Sequence, residues 1–84
     1  MPPRRRSRPR SPELAALGEA IRQLRLEVGL SQEKLAERAE TDLSQVGGIE
    51  RGLRNPSYTT LARLAAALGT TVGAIASHAD EIQS

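Results

Sequence analysis

The stretch "SQEKLAERAETDLSQVGGIERG", Ser31 to Gly52, decides how this chain is read. It holds two short segments of helical periodicity separated by about three polar residues. In the first, Leu35, Ala36 and Ala39 fall on one side, and Glu33, Lys34, Glu37 and Arg38 on the other. A helix of under three turns is not stable alone and must pack on a neighbour. In the second, Val46 and Ile49 form the apolar side. Asp42 is a good N-cap, Gln45 three residues later completes a capping-box pattern, and Gly52 stops the helix. So short a link forces a tight, roughly perpendicular helix pair.

Outward from this pair the same rules place three more helices. Ser11 caps the first, with Pro12 at the first helical position and Glu13 favouring the dipole. Leu14, Leu17, Ile21, Leu24 and Val28 give it one apolar stripe, and Gly29 ends it. After the turn "LRNPS", Ser57 caps a helix from Tyr58 to Leu68 that buries Leu61, Leu64, Ala65 and Leu68. Thr71 caps a short fifth helix with Val72 and Ile75 inward.

Composition agrees with an all-α domain. The chain has 84 residues, one domain at most. Its core must be Leu, Ala, Ile and Val, because Phe and Trp are absent and Tyr58 is the sole aromatic. Without cysteine there is neither a disulfide framework nor a thiolate metal site, which fits a reducing cytoplasm. No apolar run approaches a membrane span, and no apolar segment follows the basic N-terminus as an export signal requires.

The net charge of +2 hides a division. Residues 1–10 hold Arg4, Arg5, Arg6, Arg8 and Arg10 and no acid. Residues 11–84 then carry seven basic and ten acidic groups, a net of −3. An Arg/Pro-rich segment cannot bury a core, so residues 1–10 are expected to be a disordered basic arm. Either it is a solubilising tail or it follows nucleic-acid phosphate. The domain is expected over 11–78, with the helix-turn-helix at 32–51 and a C-terminal tail at 79–84.

The helix pair, counted from Gln32, has Leu35 fourth, Ala36 fifth, Ala39 eighth, Val46 fifteenth and Ile49 eighteenth. This resembles the helix-turn-helix of the lambda-repressor-like, or Xre/Cro, DNA-binding family. "GLSQEKLAERA", "IERG", "NPS" and "LARLAAALG" resemble the family's stretches in its order and spacing, over roughly residues 17–76. The resemblance implies a compact five-helix domain whose third helix enters the major groove with its N-terminal residues at base edges. One departure is Glu40, which stands where the family usually has a glycine in left-handed geometry. Either Glu40 takes that strain or the turn differs.

By the same resemblance the base-reading positions are Leu43, Ser44 and Gly48, with Gln45 and Gly47 nearby. Leu43 stands where the family often has a glutamine contacting adenine. It could touch a thymine methyl instead or pack on the second helix. Gly47 and Gly48 each cost roughly 1 kcal/mol relative to Ala in a helix interior. Either their missing Cβ atoms let DNA approach the backbone, or they relieve crowding within the protein. Expected phosphate contacts are Gln32, Arg51, Arg54 and Asn55, with the five arginines of the arm. The family pairs the Glu50 position with an arginine that falls here on Arg25, a structural ion pair. Tyr58 could bond phosphate or be partly buried. His78 has no ligand partners at metal spacing and reads as a surface residue.

No catalytic arrangement, phosphate loop, metal cluster or cofactor motif is visible, so no enzyme is expected. The preferred function is a sequence-specific double-stranded DNA-binding transcriptional regulator, a repressor or controller. It would act in the cytoplasm at the nucleoid, as a homodimer on a near-palindromic operator, without a small-molecule ligand. The fifth helix and "HADEIQS" would form the dimer surface. The competing reading is a protein-interaction adaptor or antitoxin-type subunit keeping the scaffold without specific DNA binding. It is motivated by the acidic domain and the glycine-rich third helix.

Overall fold

Five capped helices build the domain. The structure, a computed structural model, describes residues 8–84. The expected arm arginines Arg4, Arg5 and Arg6 lie outside the described residues. In order, α1 is Pro12–Glu27, α2 Gln32–Arg38, α3 Leu43–Glu50, α4 Tyr58–Ala67 and α5 Val72–Gln83. No strand occurs among the described residues.

Every helix starts as its sequence requires. Ser11, Ser31, Asp42, Ser57 and Thr71 all have extended backbones, and each side-chain oxygen accepts from a backbone N–H three residues on. That satisfies one of the otherwise orphaned donors at each helix start. The capping box expected at α3 forms by half. Gln45 N–H donates to Asp42 Oδ1 at 2.7 Å, but the Gln45 side chain is engaged elsewhere, by Arg54.

The first four helices end in one motif. After α1, α3 and α4 a glycine takes φ near +73°, and the next residue's N–H returns to the carbonyl five residues back. This is the Schellman closure, which favours a residue without a Cβ. After α2 the same closure is made by Glu40, with φ 56° and Thr41 N–H bonded to Ala36 O at 2.9 Å. Glu40 therefore takes the left-handed strain, and the turn keeps the geometry of its glycine counterparts.

The core is aliphatic and drawn from all five helices: Ile21, Leu35, Val46, Ile49, Leu64 and Ile75 are essentially inaccessible. Two expectations for α1 need correction. Val28 is half exposed, because it lies past the last turn of the helix. The buried face also runs through Ala16, Gly18, Ala20 and Arg25, not only the large aliphatics. The reason is that α1 packs against both α3 and α5. At Gly18 a Cβ would overlap the carbonyl oxygens of Ile49 and Glu50 and lie 2.8 Å from the Glu50 carbonyl carbon. Only glycine lets α1 cross the end of α3 so closely.

The C-terminal boundary also differs. α5 is not short but runs through residue 78 to Gln83, because Ala79 continues the buried stripe begun by Ile75. His78, expected at the surface, is half-buried between α5 and α1, its Nε2 2.7 Å from Gln23 Oε1. At the other end, Arg8, Pro9 and Arg10 are placed, and Arg10 N–H donates to Gly52 O at 2.8 Å. The described residues before α1 thus lie beside the end of α3. No single helix among the described residues is long and apolar enough to cross a membrane.

Candidate nucleic-acid interface

The orientation of α3 is set by a buried ion pair. Arg25 Nε donates to Glu50 Oε2 at 2.7 Å and Nη2 to Glu50 Oε1 at 3.0 Å, a two-pronged contact. Arg25 and Glu50 are each 8% exposed. Arg25 Nη1 also donates to Leu30 O at 2.9 Å. Hydrogen bonding to Glu50 holds the Arg25 pKa above its ordinary value, against the desolvation that lowers it. The pairing expected for these two residues is present, and it ties α1 to the last residue of α3.

Gln32 completes this network from α2. Its Nε2 donates to Glu50 Oε1 at 2.9 Å, so one of the two N–H groups of the amide expected to hold phosphate is taken by an internal partner. Gln32 thereby links the two helices of the pair through the end of α3. Its Oε1 stays near Gly47, 3.9 Å from where a Cβ would be.

The first turn of α3 faces outward. Leu43 is 50% exposed, so it does not bury itself against α2. Ser44 is exposed beside it, Gln45 half-buried, and Val46 and Ile49 point into the core. The exposed residues of the following turn, Arg51, Arg54 and Asn55, lie along the other end of the helix. A hydrogen-bonding surface with cations at its edge is what a duplex requires, with base edges in the groove and phosphate beside it.

Gly47 and Gly48 are not the open flank that would let DNA reach the backbone; both are buried. The cover is side chains of exposed residues, not core. Above Gly47 lies the Arg51 guanidinium, 3.2 Å from the Cβ position. Above Gly48 lies the stem of Arg54, with Cδ and Nε at 2.7 Å and Cγ at 2.8 Å. The crowding these glycines relieve comes from the protein's own arginines. Arg54 then reaches the first turn of α3, where Nη1 donates to Gln45 Oε1 at 3.0 Å and Nη2 to Ser44 Oγ at 3.3 Å. It therefore lies along α3 itself, not free in the turn.

Sequence reasoning missed Gly18, whose role shows only when α3 is brought against α1. Tyr58 is 73% exposed at the start of α4 and packs on nothing that would hide it. Among the described residues no group of His, Cys, Asp or Glu is arranged to hold a metal ion.

Comparison with known proteins agrees with this geometry. Residues 21–75 match the helix-turn-helix family model. The chain is 44% identical over 59 residues to the immunity repressor protein of Bacillus phage phi105, a match covering 70% of this chain and 41% of that protein. It is 37% identical over 65 residues to the HTH-type transcriptional regulator y4dJ of Sinorhizobium fredii, covering 77% and 84% of the two. The restriction-modification controller protein C.AhdI of Aeromonas hydrophila superposes with a TM-score of 0.76 at 42% identity, covering 77% of this chain and 98% of that one. A variant of the controller C.Esp1396I bound to its highest-affinity operator site superposes with a TM-score of 0.79 at 27% identity, covering 87% and 96%. The chain spans under half the length of the phage repressor but most of the others. With the expected helix pair, its closing turn and its anchored third helix all in place, the chain belongs to the lambda-repressor-like helix-turn-helix family of DNA-binding transcriptional regulators.

Proposed function

We propose that the protein is a sequence-specific regulator that binds duplex DNA as a homodimer and acts as a repressor or controller of transcription. The observation that carries this reading is the exposed first turn of α3 on a helix locked by Arg25, Gln32 and Glu50. A reading helix must present its side chains at fixed positions, and a helix anchored at its far end does so. Leu43, Ser44 and Gln45 lie toward base edges, with Leu43 suited to a thymine methyl. Gly47 and Gly48 let arginine side chains lie flat along the same helix.

Arg51 and Asn55 contact the backbone beside the groove, and Arg8 and Arg10 extend that cationic edge from the segment docked at Gly52. Arg4, Arg5 and Arg6 add charge to the same arm. The start of α2 at Gln32 also comes near phosphate, through its free backbone N–H groups more than its amide. The site of action is where the DNA lies, the nucleoid of the cytoplasm. The controller and repressor relatives support the regulatory role.

The dimer surface is α5 toward its C-terminal end, where exposed Ile82 continues the stripe of Ile75 and Ala79 past the domain's own core. Two copies would present their α3 helices about 34 Å apart, one turn of the duplex. Selection of bound sequences from random DNA, with sedimentation of the complex, tests both points. An enriched motif with two inverted halves and two protomers per duplex is expected. Recovery of no enriched motif at moderate salt refutes specific binding and favours the adaptor reading.

A further inference from the structure

We infer that Arg54 is a base-reading, specificity-determining residue, carried along the slot that Gly48 leaves on α3 and held by Ser44 and Gln45 so that its guanidinium meets a guanine. This rests on the DNA-binding reading above and assigns one position of that site. It differs from the phosphate contact that the sequence position alone suggests.

Three observations carry it. First, the Arg54 stem occupies the volume that any side chain at residue 48 would take, with Cγ, Cδ and Nε all within 2.8 Å of the Cβ position. Second, the guanidinium reaches back over the helix to two residues of its first turn, Gln45 at 3.0 Å and Ser44 at 3.3 Å. These are the two polar side chains that α3 itself offers there. Third, Arg54 remains exposed while engaged, so the guanidinium is held without being hidden.

A guanidinium carries five N–H donors, and these two bonds leave three. Three suffice for the paired bonds to guanine O6 and N7, the commonest specific contact of arginine in the major groove. A free arginine must lose its rotamer freedom on binding. Arg54 has given up most of that freedom before DNA arrives, through the Gly48 slot and its two acceptors. A phosphate contact needs no such alignment, because the backbone charge is met equally well by a mobile side chain. Ser44, Gln45 and Arg54 together form one composite reader on a helix otherwise poor in donors.

The experiment is selection from random DNA, followed by competition on the recovered motif, using the full chain and the variants Arg54→Lys, Arg54→Ala and Gly48→Ala. Arg54→Lys keeps the charge but not the fork. The parent motif is expected to contain a guanine that Arg54→Lys and Arg54→Ala cease to prefer, losing roughly tenfold to a hundredfold discrimination at that position alone. Gly48→Ala pushes the arginine stem aside and should relax the same position, with an unchanged helical circular dichroism spectrum. If Arg54→Lys keeps the parent motif and Arg54→Ala weakens all sequences alike, with the log–log salt slope falling by about 1, Arg54 is a phosphate contact and the inference fails. A parent motif left unchanged by all three variants also overturns it while leaving the DNA-binding reading intact. Absence of any parent motif overturns both.

Discussion

Replacing Gly18 with alanine sets two known effects against each other, and the structure decides which wins. In a helix interior alanine is favoured over glycine by about 1 kcal/mol, so propensity alone says the variant gains stability. The new Cβ, however, would lie 2.8 Å from the Glu50 carbonyl carbon, where ordinary contact begins near 3.4 Å. Its closest neighbours are the Ile49 and Glu50 carbonyl oxygens, all helix backbone that cannot rotate aside. Helices α1 and α3 must therefore part by at least about 0.6 Å. That movement also loads the Arg25–Glu50 contact, whose shorter bond is 2.7 Å. Overpacking of this kind costs typically about 1–3 kcal/mol and sometimes more.

With backbone on both sides the cost lies at the upper end, so the net loss is about 2 kcal/mol. That is a large share of the roughly 4–12 kcal/mol expected for a domain of this size. Urea unfolding followed by circular dichroism reads it directly. With a slope of about 1 kcal/mol per molar, the midpoint should fall by about 2 M. Gly48→Ala is the internal control, since its obstacle is the flexible stem of Arg54. Its midpoint should hold or rise by up to about 1 M through the same propensity gain. A Gly18→Ala midpoint at or above the parent's would refute the claim that this glycine sets the α1–α3 approach.

Arg25→Met should cost about 3–5 kcal/mol, because it strands the Glu50 carboxylate in the interior with Gln32 as its remaining partner, and Glu50→Leu added to it should restore much of the loss. Denaturant midpoints of the two variants check this, and equal losses in both would contradict it. The raised pKa of Arg25 means its contribution is present at every pH below the ordinary guanidinium value and lost only as pH climbs past the raised one, so this group should add no slope to stability between pH 6 and 8. Glu40→Gly should stabilise by about 0.5–1 kcal/mol, as relief of the left-handed strain exceeds the added unfolded-state entropy; thermal melting shows the sign. Deleting residues 1–8 removes Arg4, Arg5, Arg6 and Arg8, and should lower the salt slope of DNA binding by at most about 3.6 while leaving the preferred motif unchanged. A changed motif in anisotropy competition would show that the arm reads sequence.

What the sequence alone makes legible acts over three or four residues. The five N-caps, the glycine stops and the Leu35, Val46 and Ile49 pattern each depend on neighbours in the same turn, so the helices and their order were legible. Family spacing added the Arg25–Glu50 pair, which periodicity alone does not supply. The left-handed turn at Glu40 was legible as a question, because its residue type argues against the conformation that the family resemblance implies there.

Other features belong to contacts between distant parts of the chain. Gly18 is an ordinary helical glycine until Ile49 and Glu50 arrive against it, and His78 is an ordinary polar residue until α5 brings it to Gln23. Gln32 looked available for phosphate because nothing in its own turn competes for the amide; Glu50 does so only in the folded domain. The paired glycines of α3 announced a close approach, but the sequence left open what approached. Packing answers with Arg54, six residues beyond Gly48, because the turn after Gly52 folds that side chain back along the helix it follows. Local chemistry determines where each helix starts and stops, since caps and periodicity act within a turn. Tertiary structure alone determines which side chains cover which surfaces, since those contacts exist only after the helices have met.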